Sequence, residues 1–112
     1  MRDSSLSMPA EAVVILSTAG VGEAPSIAEI LVKEHCAACV NITPVRSVYH
    51  WKGELCRDQE MLMIIKTTRD RSGAAMARLR ELHSYELPEM LVLPVTAGYR
   101  PYLEWLAKET YS

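Results

Sequence analysis

Apolar residues recur along this chain with two different periods, and the switches between them mark its elements. Residues 12–18 (AVVILST) form a short, β-branched apolar run closed by Ala-Gly-Val-Gly, which predicts a buried strand and a turn. A helix is expected next, opened by Pro25 or by Ser26 and Glu29 as a capping box. Its Ile27, Ile30 and Leu31 share one face, and it should stop near His35 and Cys36. Residues 39–68 then read as two long strands around a tight turn at Lys52-Gly53. A two-residue loop there pairs Trp51 with Glu54 and Tyr49 with Cys56. Pro44, unable to donate to a ladder, predicts a bulge that shifts the register below it.

The second arm of this hairpin, 60–68 (EMLMIIKTT), is apolar on both sides. Met61, Met63 and Ile65 belong to one face and Leu62 and Ile64 to the other. Asp70 is the expected N-cap of a second helix, whose Ala75, Met76, Leu79 and Leu82 point inward while Arg71, Arg78 and Arg80 lie towards solvent. Residues 83–88 connect it to a strand over 89–96, where Pro94 argues for an edge position. A last helix starts at Arg100-Pro101 and carries Leu103, Trp105 and Leu106, with Glu104 and Lys108 one turn apart. The order β, α, β, β, α, β, α predicts an α+β, ferredoxin-like βαββαβ sandwich with a long hairpin between its second and third strands and a C-terminal helix. Two helices shield only one face of such a sheet. The second apolar face, and the unpaired edges of the long strands, therefore call for another subunit.

Composition changes this picture little. The 112 residues, 49% hydrophobic and 23% charged, are expected to form one domain over 11–112 behind a disordered tail at 1–10. A net charge of −2 leaves no basic footprint for nucleic acid. No apolar run reaches the roughly 20 residues that span a bilayer, so no membrane partner is expected. The N-terminus lacks the apolar core of a secretory signal, and three cysteines do not suggest a disulfide framework; both point to the cytoplasm.

Candidate chemistry is sparse. Cys36 and Cys39 have C-x-x-C spacing, but they follow a helix C-terminus, where the dipole disfavours a thiolate, so buried structural thiols are the plainer reading. The soft ligands are His35, Cys36, Cys39, His50, Cys56 and His83, in no recognised metal spacing beyond that pair. Polar residues set among apolar strands form a second group: Glu60, Lys66, Tyr85 and Glu89, with Trp51 near the turn. Buried charge needs a partner, so these residues serve either structural ion pairs or a binding cleft. Glu60 and Lys66 sit about 20 Å apart along one strand, too far for contact, which places any shared site between subunits. No nucleophile–base set or phosphate loop stands out, and no enzyme activity is expected; Arg46 and Asn41, an acylphosphatase-like pair by residue type, point to no shared loop.

Seven pieces, in order and spacing, resemble the CutA family of divalent-cation tolerance proteins: VVILST (13–18), AACV (37–40), YHWKG (49–53), 60–67, YELPE (85–89), LVLPV (91–95) and YLEWL (102–106). The resemblance covers roughly residues 12–107. It implies a ferredoxin-like subunit, a compact homotrimer built by edge pairing of the long strands, and a role in tolerance of copper and other divalent ions, with no established reaction. It also makes His83 the first candidate metal ligand and Cys39 a weaker one, for copper or another divalent ion held weakly. Ser17 stands where the copper-linked type has cysteine, and Leu82-His83 where it has a histidine pair. The alternative is a regulatory trimer like the PII signalling proteins, taking a small anionic or nucleotide-like ligand in clefts between subunits lined by Trp51, Glu60, Lys66, Tyr85 and Glu89.

Overall fold

A strand buried on one face and half-covered on the other begins the fold. The computed structural model describes residues 11–111, so the expected tail at 1–10 lies outside the described residues. Strand β1 (Ala12–Ala19) leads into helix α1 (Ala24–Lys33), then into the hairpin strands β2 (Cys39–Trp51) and β3 (Glu54–Thr68). Helix α2 (Arg69–Leu82), the short strand β4 (Leu91–Pro94) and helix α3 (Arg100–Glu109) complete it. The four strands form one antiparallel sheet in the order β2-β3-β1-β4, the ferredoxin-like arrangement expected from the alternation of elements.

The hairpin turns at Lys52 and Gly53, both at positive φ (51° and 82°), as a type I′ turn demands. Trp51 faces Glu54 and Tyr49 faces Cys56, and this register continues unbroken to Cys39 opposite Lys66. The bulge expected at Pro44 is absent: Pro44 simply faces Met61. Since β2 is an edge strand, half of its N–H groups point away from the sheet, and a missing donor among those costs no ladder bond. β1 accompanies β3 only from Met61 to Thr68. The outer half of the hairpin therefore projects from the body, and the molecule measures 57 × 24 × 21 Å.

The core lies between α1, α2 and one sheet face. Ile15, Ile27, Leu31, Met63, Ile65 and Leu79 are almost completely buried there. Met61 packs on this cluster, while Leu62 and Ile64 point to the other face, as period two requires. That second face is not wholly open. α3 covers one end of it, burying Leu103 and Leu106 against Ala12 and Ala38, whereas Trp105 stays outside. At the other end of that face, Leu91 and Leu93 of β4 are 56% and 44% exposed.

Local signals were overridden at several helix ends. α1 begins at Ala24 with Pro25 in its first turn, and Ser26 donates to the Glu23 carbonyl instead of making a capping box. It stops at Lys33, two residues early, through a Schellman closure: His35 N–H donates to the Val32 carbonyl and Cys36 N–H to that of Leu31. His35 occupies the left-handed position at φ 60°, where glycine is usual. Its ring justifies the strain by stacking on Tyr111 at 4.0 Å and donating from Nδ1 to the Glu109 carbonyl, which ties α3 to α1. Thr68, not Asp70, precedes α2. Arg71 and Arg78 are not simply solvated either. Arg71 donates to the His35 carbonyl and the Cys36 thiol, and Arg78 grips Glu34 with two bonds of 2.8 and 2.9 Å. On α3, Glu104 takes Arg100 at 3.0 Å as its helical partner. β4 is shorter than expected, at the predicted edge position.

Candidate functional site

The segment that follows α2 is where the chain's unusual polar contacts collect. His83 closes the helix, is 7% exposed, and has both ring nitrogens occupied. Nδ1 accepts the Tyr85 N–H at 3.1 Å, so Nε2 carries the proton and donates it to the Thr18 carbonyl at 2.7 Å. Glu23 fastens the same loop to the start of α1. Its carboxylate receives the Ser84 hydroxyl at 2.6 Å, the Ser84 N–H at 3.2 Å and the Gly20 N–H at 3.4 Å. Burial alone would push the Glu23 carboxyl up, but these three bonds and the nearby His83 outweigh it and hold the group below its ordinary value.

Anchored in this way, Tyr85 reaches over β3 and donates its hydroxyl to Glu60 at 2.9 Å. Glu60 is a carboxylate at 6% exposure on the sheet face without α1 and α2. Burial, then the bond to Glu60 and its charge, push the Tyr85 phenol far above the usual tyrosine value. Further out on the hairpin, Tyr49 donates to Asp58, which raises its phenol to about 12. At the rim, the ammonium of Lys52 lies 3.5 Å from Glu86 and 5.6 Å from the centre of the Trp51 ring.

Between the inner face of the hairpin and the loop 85–89 runs a groove of about 680 Å³. Of the five residues expected in a cleft, Trp51, Glu60, Tyr85 and Glu89 line it together within one protomer. Lys66 does not. It sits across from Val14 and Cys39 at the far end of β3, with its ammonium 5.8 Å from the centre of the Tyr102 ring. Tyr49, Asp58 and Glu86 also line the groove and were not among the residues expected there. A signal for two of them existed. The Lys52-Gly53 register sets Ser47 opposite Asp58 and Tyr49 opposite Cys56, which makes Tyr49 and Asp58 diagonal neighbours on one face.

A tightly held metal finds little here. Among the described residues no group of three or more His, Cys, Asp or Glu side chains converges. Cys39 lies opposite Lys66 and its thiol meets Asn41 at 3.9 Å, while His83 sits against Thr18, four positions further along β1 than the Val14 that faces Lys66. The two candidate ligands thus belong to different places, and His83 would have to give up a hydrogen bond to coordinate. Ser17, the third position of interest, is 0% exposed and its hydroxyl has no partner among the described residues. A neutral hydroxyl is a poor ligand for copper or zinc. Cys36, Cys39 and Cys56 are all free thiols.

Residues 12–109 match the family described as CutA1 divalent ion tolerance protein. The chain belongs to this CutA1 family. Its sequence is 43% identical over 101 residues to the divalent-cation tolerance protein CutA of Thermus thermophilus, covering 89% of this chain and 98% of the relative. Among solved structures it is similar to the PII-like protein CutA from Nostoc in its apo form, with a TM-score of 0.86 and 38% identity over 88% of this chain and 97% of that one. CutA1 from Oryza sativa superposes with a TM-score of 0.89 at 36% identity, covering 94% and 98%. The groove lies where the outer hairpin has no neighbouring strand.

Proposed function

We propose that this CutA1-family chain serves divalent-cation tolerance as a cytoplasmic homotrimer that acts by binding and not by catalysis, and that it holds copper or another divalent ion only weakly. The observation that carries the weak-holding reading is the His83 ring, whose two nitrogens are both spent inside the protomer. Assembly is supported by the sheet face that α3 leaves bare, where Leu16, Leu62 and Ile64 continue into the exposed Leu91 and Leu93, and by open edges at β2 and β4. The number three rests on the family resemblance. No helix among the described residues is long and apolar enough to cross a membrane. Sedimentation equilibrium should give three times the chain mass, and a stable monomer would overturn the assembly. Calorimetric titration with Cu²⁺ and Zn²⁺ should give weak heats that His83→Ala leaves unchanged. A tight stoichiometric site lost in that variant would refute the weak-holding reading.

A second reading is supported by the groove: a regulatory protein, similar in principle to PII, that takes a small ligand between hairpin and loop. A volume of about 680 Å³ lies within the range of small-molecule sites, roughly 300–1,000 Å³. A thermal-shift screen of metabolites tests it, since a ligand that binds only the folded state raises the melting temperature by mass action.

A further inference from the structure

The sheet face without α1 and α2 is polar at both ends and apolar between them. Along β3 it carries Asp58 and Glu60, then Leu62 and Ile64, then Lys66, alternate residues of one strand. Glu60 and Lys66 are each incompletely matched within the protomer. Glu60 is 6% exposed and receives one neutral donor, the Tyr85 hydroxyl. A carboxylate taken that far out of water has lone pairs to spare and calls for a cation. Lys66 is half-buried, and its ammonium meets the Tyr102 ring but, among the described residues, no carboxylate. The other acids of the groove make no such demand. Asp58 holds the Tyr49 hydroxyl, Glu86 pairs with Lys52, and Glu89 is exposed to water.

Six residues of strand hold Glu60 and Lys66 about 20 Å apart, so the two charges do not meet inside one chain. We infer that they meet between chains: the partner subunit's Lys66 enters the groove and forms an ion pair with Glu60. The inference rests on the homotrimeric reading and names the contact that closes its seam. The open strands β2 and β4 are different edges, so a join between them is head to tail, and such a join repeats around a ring. Head-to-tail order brings unlike ends of the face together, which complementary charge then fixes in register. Leu62, Ile64, Leu91 and Leu93, bare in the protomer, supply the apolar contact beside the pair. In the assembled protein the buried carboxylate of the groove is thus neutralised by a neighbour.

Subunit exchange between ¹⁵N-labelled and unlabelled full-length protein, followed by native mass spectrometry, tests the inference. Glu60→Gln keeps an acceptor for Tyr85, and Lys66→Met keeps an unbranched stem over Tyr102. Each should speed exchange by about tenfold or more, because truncating one member of a buried charge pair acts on dissociation. Lys66→Arg, which keeps the cation, should exchange near the wild-type rate, as should Arg80→Gln on the helix side. The double variant decides the matter. Residues this far apart in one chain act independently and their effects multiply, whereas residues in contact couple. The double variant should therefore exchange about as fast as either single one. A rate equal to the product of the two single effects, or single variants that leave exchange unchanged, would overturn the ion pair and keep the trimer. A wild-type chain that is monomeric would end both.

Discussion

Tyr85→Phe removes one oxygen and keeps the ring, which isolates the bond to Glu60. That bond is 2.9 Å long and ends on a carboxylate at 6% exposure, so water replaces the lost donor poorly. Hydrogen bonds to charged groups contribute about 1.5–3 kcal/mol, which sets the expected loss. In a chain of this length each kcal/mol moves the melting temperature by about 3–6 °C, so the midpoint should fall by about 5–18 °C. Thermal and denaturant unfolding at a fixed protein concentration measure it, because assembly makes the midpoint concentration-dependent. A double-mutant cycle with Glu60→Gln should give a coupling well above the roughly 0.5 kcal/mol of independent sites. The pH dependence has a definite sign. The folded phenol is raised above its ordinary value of 10.0, so the difference between the two proteins should be full below pH 10 and shrink as pH rises beyond it. Additive single substitutions, or a midpoint unchanged within error, would refute the claim that Glu60 depends on Tyr85.

Other perturbations probe separate parts of the chain. Ser17→Ala deletes a fully buried hydroxyl that has no partner among the described residues, and should be neutral or stabilising by up to about 1 kcal/mol in urea unfolding. A loss above that would mean the hydroxyl is bonded. Ser84→Ala removes the hydroxyl bond to Glu23 and keeps the backbone N–H bond, at a carboxyl held below its ordinary 4.5. Stability from a depressed carboxyl is present above that value and lost as pH falls through the folded one. The gap between wild type and Ser84→Ala should therefore be widest above pH 4.5 and close in acid, and a gap that grows on acidification would contradict it. Lys52→Asn keeps the turn's left-handed residue in a type that tolerates it, and should stabilise the hairpin by about 0.5–1 kcal/mol, read as a raised denaturation midpoint. An unchanged or lower midpoint would show that the contacts of Lys52 with Glu86 and Trp51 outweigh the backbone strain.

Much of the architecture was legible before any coordinates, because the elements are specified locally. The hydrophobic period told strand from helix, and Lys52-Gly53 set a register that holds over thirteen residue pairs. The same alternation sorted Met63 and Ile65 from Leu62 and Ile64. The Pro44 bulge did not appear, because a proline's cost depends on whether its strand is central or at an edge. That is a property of the sheet and not of the tripeptide. The helix ends shifted for a related reason: the Schellman closure at His35 is secured by Tyr111 and Glu109, seventy-odd residues away.

The candidate site divides along the same line. Sequence alone could mark Glu60, Tyr85, Glu89 and Trp51 as polar or aromatic residues in apolar company, since charge placed there needs a reason. It could not say that Lys66 lies outside the groove of a single protomer. Two charged residues on one strand face are both candidates until the chain shows which of them the loop 83–90 crosses. Nor could it show that His83, attractive as a ligand by type, spends both nitrogens on the Thr18 carbonyl and the Tyr85 amide. Period, turn chemistry and family pattern settle which strands and helices form, because those depend on near neighbours in the chain. The charge and content of the groove depend on side chains drawn from the hairpin and a distant loop, and only their meeting in space decides them.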